Sequence, residues 1–218
     1  MTSYPSGRRL YNDVDGIDNW FWPVYEKGMF AVISNDWVTS HADKYFKYMM
    51  KNDVCIQAGG ACGMYAKLLS RQFKTVYTFE PYHDSFYYLA RNCYESNIVK
   101  FNAALGSAPG LISVDLPFTK NQGETAVSKT VSGNIPTLVI DNLGLTACDF
   151  IQLDIEGSEL EALKGAIETI KLYQPVIACE LSTVNKEEIT KFMTSIDYTL
   201  VDMSVMDGIF LHNSRVTK

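Results

Sequence analysis

The sequence predicts an α/β protein built on a doubly wound, Rossmann-like sheet. Three observations carry that reading. Val54 to Glu80 runs as a short apolar strand, a small-residue turn, a helical repeat, a second apolar strand and an acid. Phe150 to Glu159 is an apolar run that delivers Asp154 and Glu156 just before a second helical repeat. Pro175 to Glu180 is a further strand-like run that ends on a carboxylate. Apolar strands alternating with helical repeats give a parallel sheet with helices on both faces. Ligands of such sheets bind outside the carboxyl ends of the strands.

Residues 1–52 read as an N-terminal extension and 53–218 as the α/β domain. The extension holds all three tryptophans, Trp20, Trp22 and Trp37, together with Phe21, Tyr25, Phe30, Tyr45, Phe46 and Tyr48. Two roles suit such an aromatic segment: a cap over the ligand cleft that shapes a second pocket, or a segment packed on the sheet edge or on a second subunit. Asp13-Val14-Asp15-Gly16 faintly resembles a calcium loop, but Ile17 and Val24 stand where ligands are needed. Phe46 to Met50 reads as a helix end, and Lys51-Asn52-Asp53 as a polar turn into the first strand of the domain.

Val54-Cys55-Ile56 suits a buried strand. Gly59, Gly60, Ala61 and Gly63 then strip bulk from the turn. Tyr65, Leu68, Leu69 and Phe73 fall on one helix face, and Thr75 to Phe79 is the next strand, ending at Glu80. Phe86, Leu89, Ala90 and Cys93 mark another helix, capped by Asp84 or Ser85. Ile98 to Phe101 is a strand that runs into Asn102-Ala103-Ala104-Leu105-Gly106. Leu111 to Leu116 alternates as a half-exposed strand, Thr119 to Asn134 reads as a polar loop, and Pro136 to Ile140 is apolar.

After Phe150 to Asp154, Ser158 and Glu161 form a capping-box pattern. Leu160, Leu163, Ile167 and Ile170 define the helix that follows. Lys186 to Ser195 is a further helix. Tyr198 to Asp202 and Ile209 to Leu211, joined through Met206-Asp207-Gly208, read as a closing hairpin.

Bulk properties exclude several functions. The 218 residues carry 19 basic and 25 acidic side chains, a net charge of −6. That balance disfavours a nucleic-acid partner. No apolar run reaches membrane-spanning length, and Arg8-Arg9 is followed by Asn12, Asp13 and Asp15 rather than an apolar stretch, so a cytoplasmic protein is expected. The five cysteines form no C-x-x-C pair and read as buried reduced thiols. His41, His83 and His212 show no ligand spacing, so no metal set is assigned.

The glycine turn narrows the ligand. A dinucleotide site needs G-x-G-x-x-G, but Ala61 and Cys62 stand two residues after Gly59 and Gly60. The looser x-G-x-x-x-G of S-adenosylmethionine (SAM) sites fits Gly59 and Gly63. No Lys or Arg lies between Val54 and Tyr65 to hold a pyrophosphate, and SAM has none. Glu80 ends the next strand, where a carboxylate accepts hydrogen bonds from ribose hydroxyls. Asp154 and Glu156 are costly to place together unless a cation or proton comes between them, and the sulfonium is such a cation. The plainer alternatives are a tight turn without a ligand and an acidic cluster favoured by a helix dipole.

These segments resemble the FkbM-type family of SAM-dependent methyltransferases. The likeness rests on Gln57-Ala58-Gly59-Gly60-Ala61-Cys62-Gly63-Met64-Tyr65, Thr78-Phe79-Glu80-Pro81, Asn102-Ala103-Ala104-Leu105-Gly106 and Leu153-Asp154-Ile155-Glu156-Gly157-Ser158-Glu159, followed by Lys164-Gly165-Ala166. It implies a seven-stranded methyltransferase sheet with an antiparallel last strand, and methylation of an oxygen on sugars or other small molecules. Gln57 stands where much of the family has an acid; its amide is expected to hydrogen-bond the methionine ammonium without supplying charge.

On this reading Gln57, Gly59, Gly60, Ala61 and Gly63 line the methionine and ribose, Glu80 and Pro81 meet the ribose, and Asn102, Ala103 and Ala104 meet the adenine. Asp154 sits near the sulfonium or the methionine amine, and Glu156 or Glu180 takes the acceptor proton. A variant places Mg2+ between Asp154, Glu156 and Glu180. The acceptor is expected to be a small molecule or saccharide, and a homo-oligomer is compatible with the sequence. The rival from another class is a non-catalytic SAM-binding or assembly module.

Overall fold

The computed structural model describes residues 7–10, 20–23, 37–115, 126–128, 133–204 and 206–216. In chain order the elements are β1 (Gly7–Leu10), β2 (Trp20–Pro23), α1 (Trp37–Phe46), β3 (Val54–Ala58), α2 (Met64–Ser70), β4 (Thr75–Phe79), α3 (His83–Asn92) and β5 (Ile98–Phe101). Then follow β6 (Ala104–Leu105), β7 (Gly110–Asp115), β8 (Ala126–Ser128), β9 (Ile135–Leu138), β10 (Phe150–Leu153), α4 (Glu159–Lys164) and α5 (Ile167–Tyr173). The chain closes with β11 (Val176–Glu180), α6 (Lys186–Ser195), β12 (Tyr198–Ser204) and β13 (Asp207–His212).

The main sheet has seven strands in the order β12-β13-β11-β10-β3-β4-β5. From β11 to β5 the pairs are parallel; β13 is antiparallel to both β11 and β12. The expected antiparallel last strand is therefore present. The chain winds outward from β3 to β5, returns to β10, and winds outward again. This puts the topological switch between β3 and β10, where a ligand crevice opens at the strand ends.

Residues of both central strands are wholly buried because apolar side chains project from each face. Cys55, Phe150, Val176 and Ala178 face one core with Trp20, Tyr45, Tyr65, Leu69 and Leu89. Ile56, Ile151, Leu153 and Ile177 face the other with Leu163, Ile170, Ile189 and Met193. The N-terminal segment thus contributes Trp20 and Tyr45 directly to the core over the sheet. All five cysteines are buried without disulfides. No helix among the described residues is long and apolar enough to cross a membrane.

Several local expectations are corrected. Ala126–Ser128, inside the segment expected to be loop, pairs with Ser113–Asp115. It joins a second, four-stranded sheet, β6-β9-β7-β8, that periodicity did not reveal. The rest of the 119–134 stretch up to residue 132 lies outside the described residues. The capping box does not form: Ser158 makes no side-chain cap, and Glu161 instead bonds Ser107 and Lys164. The helix expected through Ile170 breaks at Gly165, where a Cβ would lie 2.1 Å from the Gly106 carbonyl oxygen. Helix α3 starts at His83, so the N-cap position falls on Tyr82 rather than on Asp84 or Ser85. Asp207 and Gly208 are strand residues rather than a turn.

Candidate functional site

The sheet register assembles the site. Ala58 pairs with Phe79 and Leu153, Phe79 with Phe101, and Leu153 with Cys179. The residues one step further are Asn102, Glu80, Gly59, Asp154 and Glu180, and Glu180 pairs directly with Asp207. Six strands therefore end on one line, and three neighbouring positions of that line are carboxylates. Side chains on one register line share a face.

At the switch point Gly59 is required by its surroundings. Its φ is +85°, and a Cβ would lie 1.9 Å from the Asp154 carbonyl oxygen. Backbone there cannot yield, so β3 and β10 approach only because this residue has no side chain. Ala61 also takes a left-handed conformation, with φ 44°. Its amide donates to one Glu80 carboxylate oxygen at 2.7 Å, and the Tyr82 amide donates to the other at 2.7 Å. Glu80 thus fixes the turn while lone pairs remain on both oxygens. Burial pushes its carboxyl up to about 7, against the pull of the two amide bonds.

Gln57 departs from the expectation made for it. Its side chain has no exposed surface. Nε2 donates to the Gly59 carbonyl at 3.1 Å, and Oε1 accepts from the Thr78 hydroxyl at 2.5 Å. The amide braces the turn from beneath rather than meeting the crevice. Asn102 donates to the carbonyls of Glu80 and Pro81, at 2.8 and 3.0 Å. Ala103 and Ala104 are buried beside it, and Pro81 is half-buried at the mouth of α3.

On the other side of the switch, Asp154, Glu156 and Glu180 each bring a carboxylate oxygen to within 4.8 Å of the others. All three are half-buried. Glu156 reaches them from a left-handed residue, φ 53°, followed by Gly157 at φ 95°. Burial, followed by the charges of Asp207, Glu180, Glu156 and Glu159, holds the Asp154 carboxyl well above the usual range. Burial, then Glu159 and Asp207, pushes Glu180 up as well. Such a cluster can share protons or receive a cation from outside the protein.

Two residues escaped the sequence reading. Glu159 received no site role from the sequence, yet it is fully buried. One oxygen accepts the amides of Ile155 and Gly157 at 3.0 and 3.2 Å, and the other accepts from Asn185 at 3.1 Å. It holds the turn that carries Glu156. Asp207 was assigned to a hairpin turn; it is buried and accepts a hydrogen bond from the Tyr45 hydroxyl. The spacing of the D-x-E-G-x-E run could have flagged Glu159, but nothing local flags Asp207.

The sequence model of the FkbM methyltransferase domain matches residues 60–203. The chain belongs to the FkbM methyltransferase family. A hexuronic acid methyltransferase, AglP, from Haloferax volcanii is 27% identical over 150 residues, covering 66% of this chain and 62% of that protein. Among solved structures, methyltransferase FkbM from Methylobacillus flagellatus KT superposes with a TM-score of 0.55 at 20% identity, covering 84% of this chain and 53% of the other. M. jannaschii TYW2, solved in complex with AdoMet, gives a TM-score of 0.50 at 11% identity over 97% of this chain and 89% of its own. The last two show the fold alone. This FkbM-family chain spans about three fifths of the AglP length and half of the M. flagellatus protein. The family match contains the glycine turn from Gly60, Glu80, Asn102, Asp154, Glu156 and Glu180; Gln57, Gly59, Tyr45 and Asp207 lie outside it.

Proposed function

We propose that this chain is a SAM-dependent methyltransferase that methylates a hydroxyl of a small molecule or saccharide. The observation that carries the reading is the run of carboxylates Asp154, Glu156 and Glu180 at the switch point, beside a turn held by Glu80. A ligand with a sulfonium and a ribose fits both halves. A dinucleotide, whose pyrophosphate would meet carboxylates, does not. The relative named for hexuronic acid methylation supports a saccharide acceptor. Residues 53–218 would form the methyltransferase domain, with 1–52 as its N-terminal cap.

In this proposal Gly59, Gly60, Ala61 and Gly63 line the methionine and ribose with backbone. Glu80 and the adjoining Pro81 meet the ribose, Glu80 accepting from its hydroxyls. Asn102 has two donor contacts inside the protein, so its Oδ1 is the atom offered to the adenine amine, beside Ala103 and Ala104. Asp154 faces the sulfonium or the methionine ammonium, and Gln57 acts through the turn. Bound SAM supplies a methyl group already activated by the sulfonium charge. The protein's task is then to hold the acceptor in line, which can contribute about 7–11 kcal/mol. Glu156 or Glu180 takes the acceptor proton; such a base contributes about 10²–10⁴-fold.

The 4.8 Å spacing of Asp154, Glu156 and Glu180 supports one variant, in which a divalent cation such as Mg2+ binds there and polarises the acceptor oxygen. The deciding experiment supplies labelled SAM and a metabolite extract to the purified chain. Label appearing in a small-molecule product supports the enzyme. Saturable cofactor binding without transfer to any extract would instead favour a non-catalytic SAM-binding module.

A further inference from the structure

The Tyr45–Asp207 hydrogen bond joins two residues on opposite sides of the family-matched segment, 60–203. Tyr45 lies on α1 and is fully buried, its ring 5.5 Å from that of Phe150. Its hydroxyl proton goes to Asp207. Tyr45 shares one buried cluster with Tyr65. Tyr65 stands on α2, directly after the glycine turn. Shared packing therefore links the glycine-turn helix to α1, and the Tyr45 hydrogen bond links α1 to the first residue of β13.

Asp207 pairs with Glu180 across antiparallel strands. Directly opposed like charges repel, and their side chains lie on one face. Asp207 is tied to Tyr45, while Glu180 brings an oxygen within 4.8 Å of Asp154 and Glu156. We propose that Tyr45 and Asp207, both outside the family-matched segment, are positioning residues of this site: the anchored Asp207 carboxylate directs the Glu180 carboxylate toward Asp154, where the transferred methyl group meets its acceptor. The inference rests on the methyltransferase reading above.

Sinefungin tests it without a known acceptor, because it carries an ammonium where SAM carries the sulfonium and methyl. S-adenosylhomocysteine lacks that charge. Both would be titrated into the wild type, Tyr45→Phe and Asp207→Asn, with folding checked by near-ultraviolet circular dichroism. Tyr45→Phe keeps the ring on Phe150, so it remains informative if Asp207→Asn does not fold. The wild type should prefer sinefungin by at least tenfold. Tyr45→Phe should cut that preference at least threefold and leave S-adenosylhomocysteine affinity within twofold. An unchanged preference in folded Tyr45→Phe, or equal loss of both ligands, overturns the positioning role, as does a wild type that binds both ligands equally. A wild type that binds neither overturns the methyltransferase reading itself.

Discussion

The carboxylate of Glu80 accepts the amide hydrogen of Ala61 at 2.7 Å, tying the end of β4 to a left-handed residue of the glycine turn. The same side chain holds the Tyr82 amide at the start of α3. One buried acid therefore fixes both walls of the crevice, and its ionisation links fold and ligand.

That link has a pH signature. Burial raises Glu80 from 4.5 to about 7, so the folded protein binds this proton more tightly than the unfolded chain. Ionised Glu80 costs stability above about pH 7, and the cost disappears as pH falls from 7 through 4.5. The full effect is roughly 3 kcal/mol. Comparing Tm from pH 5 to 8 in wild type and Glu80→Gln isolates this contribution; the substitution should flatten the curve. Ribose hydroxyls favour the ionised form, so S-adenosylhomocysteine binding near pH 6 should release a proton. Calorimetry in buffers of different ionisation enthalpy measures that release, which Glu80→Gln should abolish while weakening binding at least tenfold.

Gly59→Ala should be severe. The added Cβ would meet the Asp154 carbonyl oxygen at 1.9 Å from a backbone with φ +85°. Strain and overpacking together should cost on the order of 3 kcal/mol. Chemical denaturation reads the loss directly.

Glu159→Ala should lower stability and turnover together. It removes the acceptor for two amides, Ile155 and Gly157, in the turn that carries Glu156. Each unsatisfied donor costs about 1–3 kcal/mol where water cannot reach it. Hydrogen exchange at those amides should quicken while that of β4 stays slow.

Glu156→Gln and Glu180→Gln separate the candidate bases. The residue that takes the proton should lose about 10²–10⁴-fold in kcat, with S-adenosylhomocysteine affinity spared. Full activity in either variant clears that residue. Thorough chelation should leave turnover intact; loss restored by Mg2+ would reassign Asp154, Glu156 and Glu180 as metal ligands.

What could be read from sequence was local. Val54 to Glu80 carries its strand, turn, helix and strand as adjacent patterns, so the central βαβ unit and Glu80 were both legible. Asp154, Glu156 and Glu180 stood out because carboxylates rarely end apolar runs without cause. Asp207 was hidden because Met206-Asp207-Gly208 has turn composition, while its place is set by pairing with Glu180, which is a non-local register. Ser158 and Glu161 matched a capping spacing, but Ser107 from a distant loop captures Glu161. Gln57 was read as a ligand contact because it stands where much of the family it resembles has an acid; the neighbouring strand's Thr78 holds it inward. In each miss a tertiary partner outbid a local rule.

Titration of the purified chain with S-adenosylhomocysteine, followed by calorimetry, tests the central claim most directly. The account predicts saturable binding of one equivalent per chain, weakened by Glu80→Ala and by Asp154→Asn. A folded protein that gives no binding signal at any accessible concentration would contradict it.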